Sequence, residues 1–367
     1  MADSRMLNLA HLLVAYSAEV RPDDWVVLHG GVEALPLIRA AAVEVLQAGG
    51  HPTVVLEDDE TQAAMARVAT EEQLAWTSPL EPVVYEQADV LMFIRGASNT
   101  RAMTQIPPAK QRAAQKARTP LMATFMRRSA EGGLRWVSTL FPTAAYAQEA
   151  DMSLAEYEDF VYRATFADQP DPVAKWQEIH DLQQRMVDWL KGKREVVVKG
   201  PHVDLTLSIE GRTFINSDGH HNMPSGEIFT GPVEDSVNGW VRFTYPALYA
   251  GREVEGVSFR FENGKVVEAH AEKNEAFLLE MLDTDPGARY LGEFAVGTNY
   301  GIDRFTKNIL FDEKIGGTIH MAVGAGYPET GSKNKSGIHW DFICDMRTDS
   351  AIWVDGELFY KDGQFQV

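Results

Sequence analysis

The chain of 367 residues has a single cysteine, Cys344, which excludes an intrachain disulfide framework. Basic side chains are scarce: 34 Lys and Arg stand against 53 Asp and Glu, a formal net charge of −19. That balance argues against a nucleic-acid partner, whose phosphate backbone is held by Lys and Arg. It also argues against docking on an anionic membrane surface. No apolar run approaches the roughly 20 residues needed to span a bilayer. The opening Met1-Ala2-Asp3-Ser4-Arg5 leads into a patterned segment carrying His11 and Glu19, without the long apolar stretch and cleavage site of a signal peptide. A cytoplasmic location is therefore expected. Neither an internal repeat nor a low-complexity tract is present.

Hydrophobic content of 45% is ordinary for a globular protein, and the length is generous for one core, so two domains are expected. The first half alternates two kinds of segment. Trp25–Gly30, Pro52–Leu56, Ala88–Ile94 and Pro120–Met126 read as short apolar strands. Leu7–Val20, Leu35–Leu46 and Pro108–Arg118 have helical spacing, the second closing at Gly49-Gly50, a suitable C-cap. Continuous apolar strands alternating with helices imply a doubly wound, mostly parallel sheet covered on both faces.

Gly30-Gly31 ends the first strand, but neither G-x-G-x-x-G nor a Walker lysine follows, so a nucleotide site is not expected. Arg95–Arg101 sits at the carboxyl end of another strand, where it is either an ordinary loop or a pocket wall. Residues 153–192 look helical and bridge the halves. From Glu195 the period changes: Val203, Leu205, Leu207 and Ile209 alternate with polar residues, as in a half-buried strand. Asn263-Gly264 between apolar runs signals a hairpin, and Asp355-Gly356 and Asp362-Gly363 mark turns. An α/β domain with bridging helices over residues 1–192 and an α+β domain over 193–367 are expected.

Six potential metal ligands recur in that second domain: Glu227, Glu293, Glu313, His320, His339 and Asp341. In a strand, His339 and Asp341 of His339-Trp340-Asp341 point the same way, while Cys344 faces the other way into the core. Glu293 lies in the mostly apolar run Tyr290–Gly297, where a buried charge needs a partner or a metal. Carboxylates mixed with imidazoles suit Zn, Mn, Co or Fe(II). Four carboxylates and two imidazoles exceed the needs of one ion, and a two-metal site would use them all. Solvated surface carboxylates and a chance His-x-Asp remain the plain alternative.

The segment Asn222-Met223-Pro224-Ser225-Gly226-Glu227-Ile228-Phe229-Thr230-Gly231-Pro232 resembles the signature of the M29 metallo-aminopeptidase family. Further matches follow in order at Leu291–Gly297, Asn308–Glu313, His320–Gly324 with Tyr327-Pro328, and His339–Phe342. The resemblance implies an α/β N-terminal domain and a C-terminal domain holding two divalent ions. It implies removal of N-terminal residues from peptides, and homodimers. By motif, Glu227, Glu293, Glu313, His320, His339 and Asp341 would be ligands, with Glu293 and Asp341 touching both ions. Glu293 or Glu313 would serve as general base, and Tyr327 would donate to the oxyanion. The family usually has Asp-Glu-Asn where this chain has Asp312-Glu313-Lys314, and the segment from Glu313 to His320 is slightly longer. Glu313 is thus the ligand most in question, and one ion is expected to be held loosely.

Two rivals stand beside this reading. His320, His339 and Asp341 alone would form a two-His-one-carboxylate triad for Fe(II). The dihydroxypyridine ring-cleaving dioxygenases resemble the family in fold but lack the glutamate at the Ser225-Gly226-Glu227 position. A non-catalytic metal-binding homologue is the other. For the homodimer, Trp240, Tyr245 and Tyr249 are candidate exposed aromatics, with core packing as their alternative.

Overall fold

The structure, a computed structural model, describes residues 3–367. The chain divides into two compact units: one runs to Lys175 and includes Gly219–Pro224, and the other comprises Trp176–Asp218 and Ser225–Val367. Among the described residues no helix is long and apolar enough to cross a membrane.

In the first unit β1 (Trp25–Gly31), β2 (His51–Glu57), β3 (Val90–Arg95) and β4 (Arg135–Leu140) form a parallel sheet in the order β2-β1-β3-β4. Val26–Leu28 and Val90–Met92 are buried regardless of the direction in which they point, as a sheet with helices on both faces requires. Pro120–Met126, expected to be a strand, instead lies inside the helix Pro108–Ala130. Leu121 and Phe125, four residues apart, are buried on one side, whereas Met122 and Met126 are 51% and 55% exposed. That is a helical stripe within an apolar run, and length alone did not reveal the period. The fourth strand falls to Arg135–Leu140. At the carboxyl ends of the strands a cavity of about 450 Å³ is lined by Gly30, Phe93, Arg95, Gly96 and Trp136, so the segment after β3 begins as a pocket wall.

The second unit is antiparallel. Its strands are β5 (Glu195–Gly200), β6 (Val203–Ser208), β7 (Ile215–Ser217), β8 (Glu227–Thr230), β9 (Asn238–Arg242), β10 (Ala247–Tyr249), β11 (Arg252–Val254) and β12 (Ser258–Glu262). They continue with β13 (Lys265–His270), β14 (Leu291–Gly297), β15 (Thr318–Gly324), β16 (His339–Asp345), β17 (Ala351–Val354), β18 (Glu357–Lys361) and β19 (Gln364–Phe365). An eight-stranded sheet runs β13-β12-β9-β6-β5-β17-β18-β19, a five-stranded sheet runs β16-β15-β14-β8-β7, and β10-β11 is a separate ribbon.

Val198, Leu205 and Phe259 of the larger sheet share one core with Phe294, Met321, Trp340 and Phe342 of the smaller. Strand side chains alternate, so every second residue of β14, β15 and β16 points away from that core. Cys344 is two places on from Phe342 and belongs to the core, where burial pushes its thiol up to about 12.

Two outcomes follow from this packing. Asn263 (φ 49°) and Gly264 (φ 81°) close the β12–β13 hairpin with two left-handed residues, the pattern of a type I′ turn. A Cβ on Gly264 would collide with the Glu234 carbonyl oxygen. Gly264→Ala should lower stability by about 1–3 kcal/mol in chemical denaturation. Cys344, fully buried and protonated, should stay unlabelled by an aromatic disulfide reagent in native protein and react stoichiometrically in denaturant.

Candidate metal centre

The outward face of the five-stranded sheet carries five of the six residues singled out in the sequence: Glu227, Glu293, His320, His339 and Asp341. Ladder pairing sets their spacing. Glu227 lies opposite Gly297, Glu293 opposite Ala322, His320 opposite Ala295, Asp341 opposite Ala322 and His339 opposite Gly324. Each of these side chains has glycine or alanine across one strand pair, while on the other side His320 faces Ile343 and Glu227 faces Ser217. That leaves room above the sheet for the functional ends to converge.

A bulge decides where Glu293 points. Strict alternation would place Leu291 and Glu293 on the same face. The register shifts between them, so Leu291 enters the core and Glu293 the opposite side. Gly292 permits this, because a Cβ there would collide with the carbonyl oxygen of Ala325.

The side chains meet in three overlapping groups: Glu227, Glu293 and His320; Glu293, His339 and Asp341; and Glu313, His320 and Asp341. Within each group the potential ligand atoms lie within 4.8 Å of one another. His320 Nε2 is 3.3 Å from Glu227 Oε2 and 3.4 Å from Glu293 Oε1. His339 Nε2 is 3.4 Å from both Glu293 Oε2 and Asp341 Oδ1. Glu293 thus joins the first two groups, one oxygen toward each imidazole. On its other side His339 Nδ1 is 2.7 Å from the Ala325 carbonyl oxygen; donating there directs Nε2 to the carboxylates.

Glu313 arrives from outside the sheet. The short helix Ile309–Asp312 is capped by Asn308, and Asp312 accepts from Thr306 N and Oγ1 at 2.7 and 2.8 Å. Next to Glu313 stands a residue that the motif reading noted only as a departure, Lys314. It is fully buried, with Nζ 3.5 Å from Glu227 Oε1 and in contact with Glu313 Oε1.

Gln183, also fully buried, was not singled out in the sequence. Its Nε2 donates to the Glu227 carbonyl oxygen at 3.2 Å and to that of Ser217 at 3.1 Å, while its Oε1 accepts from Thr298 Oγ1 at 2.6 Å. It clamps β7, β8 and the end of β14. A glutamine within a helix carries no sequence signal for that role.

The electrostatics follow from burial. Burial pushes Glu293 above the usual carboxylate range and Glu313 up to about 7. Burial works to lower His320 and His339, but Glu293 and Glu227 outweigh it for His320, pushing it up to about 9, and Asp341 outweighs it for His339, up to about 10. Burial opposes ionisation of Asp341, yet His339 beside it holds its carboxyl below the ordinary value. Tyr327, 39% exposed, packs its ring at 5.4 Å from His339 and from Phe229. Burial first, then the negative field of Glu293 and Asp341, raises its phenol, which stays protonated and able to donate.

Glu227 Oε2 and Asp341 Oδ1 are buried without a hydrogen-bond partner among the described residues. Buried carboxylate oxygens left without a hydrogen bond need cations. The donor set, oxygen and imidazole nitrogen without thiolate, is one that divalent Zn, Mn, Co or Fe accepts. The residues fit a metal centre.

Comparison with known proteins agrees with a metal centre. The sequence pattern of the thermophilic metalloproteases (M29) matches residues 2–365. Aminopeptidase T of Thermus thermophilus is 29% identical over 396 residues, covering 97% of this chain and 95% of that protein. Among solved structures, wild-type AmpT from Thermus thermophilus superposes with a TM-score of 0.85 at 24% identity, covering 99% of both chains. A 2,5-dihydroxypyridine dioxygenase from Pseudomonas putida KT2440 shares the fold at a TM-score of 0.57 and 14% identity, covering 100% of this chain and 98% of that one. With a family match spanning nearly its whole length and a ligand cluster suited to divalent ions, the chain belongs to the M29 metalloproteases, a family of peptide-bond hydrolases.

Proposed function

We propose that this protein is an aminopeptidase that binds two divalent ions, Zn, Co or Mn, and hydrolyses N-terminal residues from peptides. The observation that carries the reading is the sharing of Glu293 between the Glu227–Glu293–His320 and Glu293–His339–Asp341 groups. One carboxylate between two ligand sets is what a two-ion site uses. Glu313 and Asp341 complete the set from the other side.

Bound ions at such a site supply a nucleophile at neutral pH and polarise the scissile carbonyl. The protein's own residues supply the rest. Glu293 and Glu313 are the carboxylates available to take up a proton. Tyr327 has the freedom of a partly exposed ring and a phenol held protonated, suited to donating to the developing oxyanion. A surplus carboxylate of the cluster is available for the substrate's α-ammonium group.

Glu227 disfavours the ring-cleaving dioxygenase reading. A three-residue Fe(II) triad needs only His320, His339 and Asp341, whereas Glu227 lies 3.3 Å from His320 and Glu293 lies between the imidazoles. The proposed homodimer rests on family membership and on large apolar side chains exposed on the first unit, among them Val68, Trp76 and Leu80 at 83%, 70% and 75%. The aromatics expected for that role divide: Trp240 is 44% exposed, but Tyr249 stacks on Trp340 at 5.2 Å.

Chelator should abolish release of N-terminal residues from aminoacyl-anilides and short peptides, and added Zn, Co or Mn should restore it. At saturating metal, elemental analysis should approach two ions per chain. Full activity in metal-free protein refutes the proposal, and a single tightly held Fe(II) with oxygen-dependent ring cleavage replaces it with the dioxygenase. Glu227→Ala and His339→Ala should lose metal and activity together. Tyr327→Phe should keep its metal and its KM while kcat falls about 10²–10³-fold, the loss typical of an oxyanion donor. Near-normal kcat in that variant would reduce Tyr327 to packing. Light scattering should give about twice the 40.8 kDa chain mass, and a monomer at micromolar concentration contradicts the assembly.

A further inference from the structure

Lys314 places a fixed positive charge on one side of the ligand cluster. Its side chain is fully buried, and its root is pinned: Lys314 N donates to Phe311 O at 3.0 Å, and Lys314 O accepts from Asn299 N at 3.1 Å. The ammonium touches Glu313 Oε1 and lies 3.5 Å from Glu227 Oε1. The second oxygen of that same Glu227 carboxylate faces His320 Nε2 at 3.3 Å. Glu227 is thus divided between a resident cation and the group that would hold an ion. The Glu293–His339–Asp341 group is different. Among the described residues no lysine or arginine lies within ion-pair distance of Glu293 or Asp341, which face the two imidazoles directly and feel Lys314 only at longer range.

We propose that Lys314 is a built-in cation of the centre that makes its two ion sites unequal. The Glu293–His339–Asp341 side binds its ion tightly. The Glu227–Glu293–His320 side binds weakly and exchanges, because the ammonium holds one Glu227 oxygen and Glu313, and its charge would repel a divalent ion held there. Lys314 also substitutes for that ion in the ion-poor protein, neutralising Glu227 and Glu313 so that the sheet face folds before the second site fills. This inference rests on the metal-dependent reading above and adds an order of filling that the reading does not contain.

The test is equilibrium dialysis of the full chain against buffers of graded free Zn(II), with elemental analysis, and a parallel Co(II) titration followed by visible absorption. Wild-type protein should take up one ion per chain in a first transition and the second only at free metal at least about 100-fold higher, the scale of a like charge a few ångström away. Lys314→Met keeps an unbranched stem without the charge and should merge the two transitions toward the lower concentration. Uptake of both ions by wild-type protein in one transition overturns the proposal, whatever the variant does. So does a folded Lys314→Met protein, checked by circular dichroism, that keeps the wild-type separation. If the methionine variant does not fold, Lys314→Gln provides the same comparison with a neutral polar side chain. Peptide cleavage read on the same samples separates the two levels of inference. Joint uptake with chelator-sensitive cleavage removes the role of Lys314 and leaves the metallopeptidase intact, whereas protein that takes up no divalent ion and cleaves nothing removes both.

Discussion

Four carboxylates gathered in overlapping groups at a sheet face largely removed from water are the constraint around which the second unit is organised. Two unit charges 4 Å apart repel by about 4 kcal/mol at an effective dielectric near 20. Several such pairs together rival the roughly 5–15 kcal/mol by which a folded domain is stable. The cluster can persist only because cations or protons accompany it. Lys314 supplies one, the imidazoles of His320 and His339 supply partial compensation, and divalent ions are the natural remainder.

The scaffold that holds these charges together is the reverse side of the hydrophobic core. Phe294, Met321, Trp340 and Phe342 fix β14, β15 and β16 against the larger sheet, and the alternate residues of those strands present the clustered carboxylates and imidazoles. Ladder register gives the placement its accuracy, since a slip of one residue would exchange core and site along an entire strand. The bulge at Gly292 is the one place where the alternation is broken, and it serves both faces, keeping Leu291 in the core and Glu293 in the cluster. Gln183 adds an anchor from outside the sheet by satisfying backbone carbonyls on both β7 and β8. Function and stability therefore share one backbone, and substitutions at the glycines and alanines opposite the ligands would disturb both.

The first unit follows different rules. Its inner strands β1 and β3 are buried on both faces while the edge strand β2 is largely exposed, and apolar runs locate all three, but the same composition misled at Pro120–Met126, where Leu121 and Phe125 form a helical stripe. An apolar run of seven residues fits a buried strand and a half-buried helix equally well, and packing partners choose between them. The exposed Val68, Trp76 and Leu80 belong to this unit and have no counterpart in the sequence argument, because exposure is a property of the folded surface.

The sequence by itself determined the two architectures, through the change from helical and continuous apolar patterns to alternation after Glu195. It also determined the hairpin at Asn263-Gly264, which needs two left-handed residues, and the six ligand-type side chains, whose chemistry is written in their identities. Tertiary structure decided what depends on distance. It brought residues from Glu227 to Asp341 within reach of one another, turned Glu293 out of the core through a bulge invisible to alternation, and recruited Gln183 from a helix more than forty residues away from Glu227. Above all it gave Lys314 its meaning. In the sequence it is one more basic residue beside a glutamate; only burial among carboxylates converts it into a fixed charge of the centre. Local patterns encode what neighbouring residues can form, whereas electrostatic roles arise from charges that meet after the chain has folded.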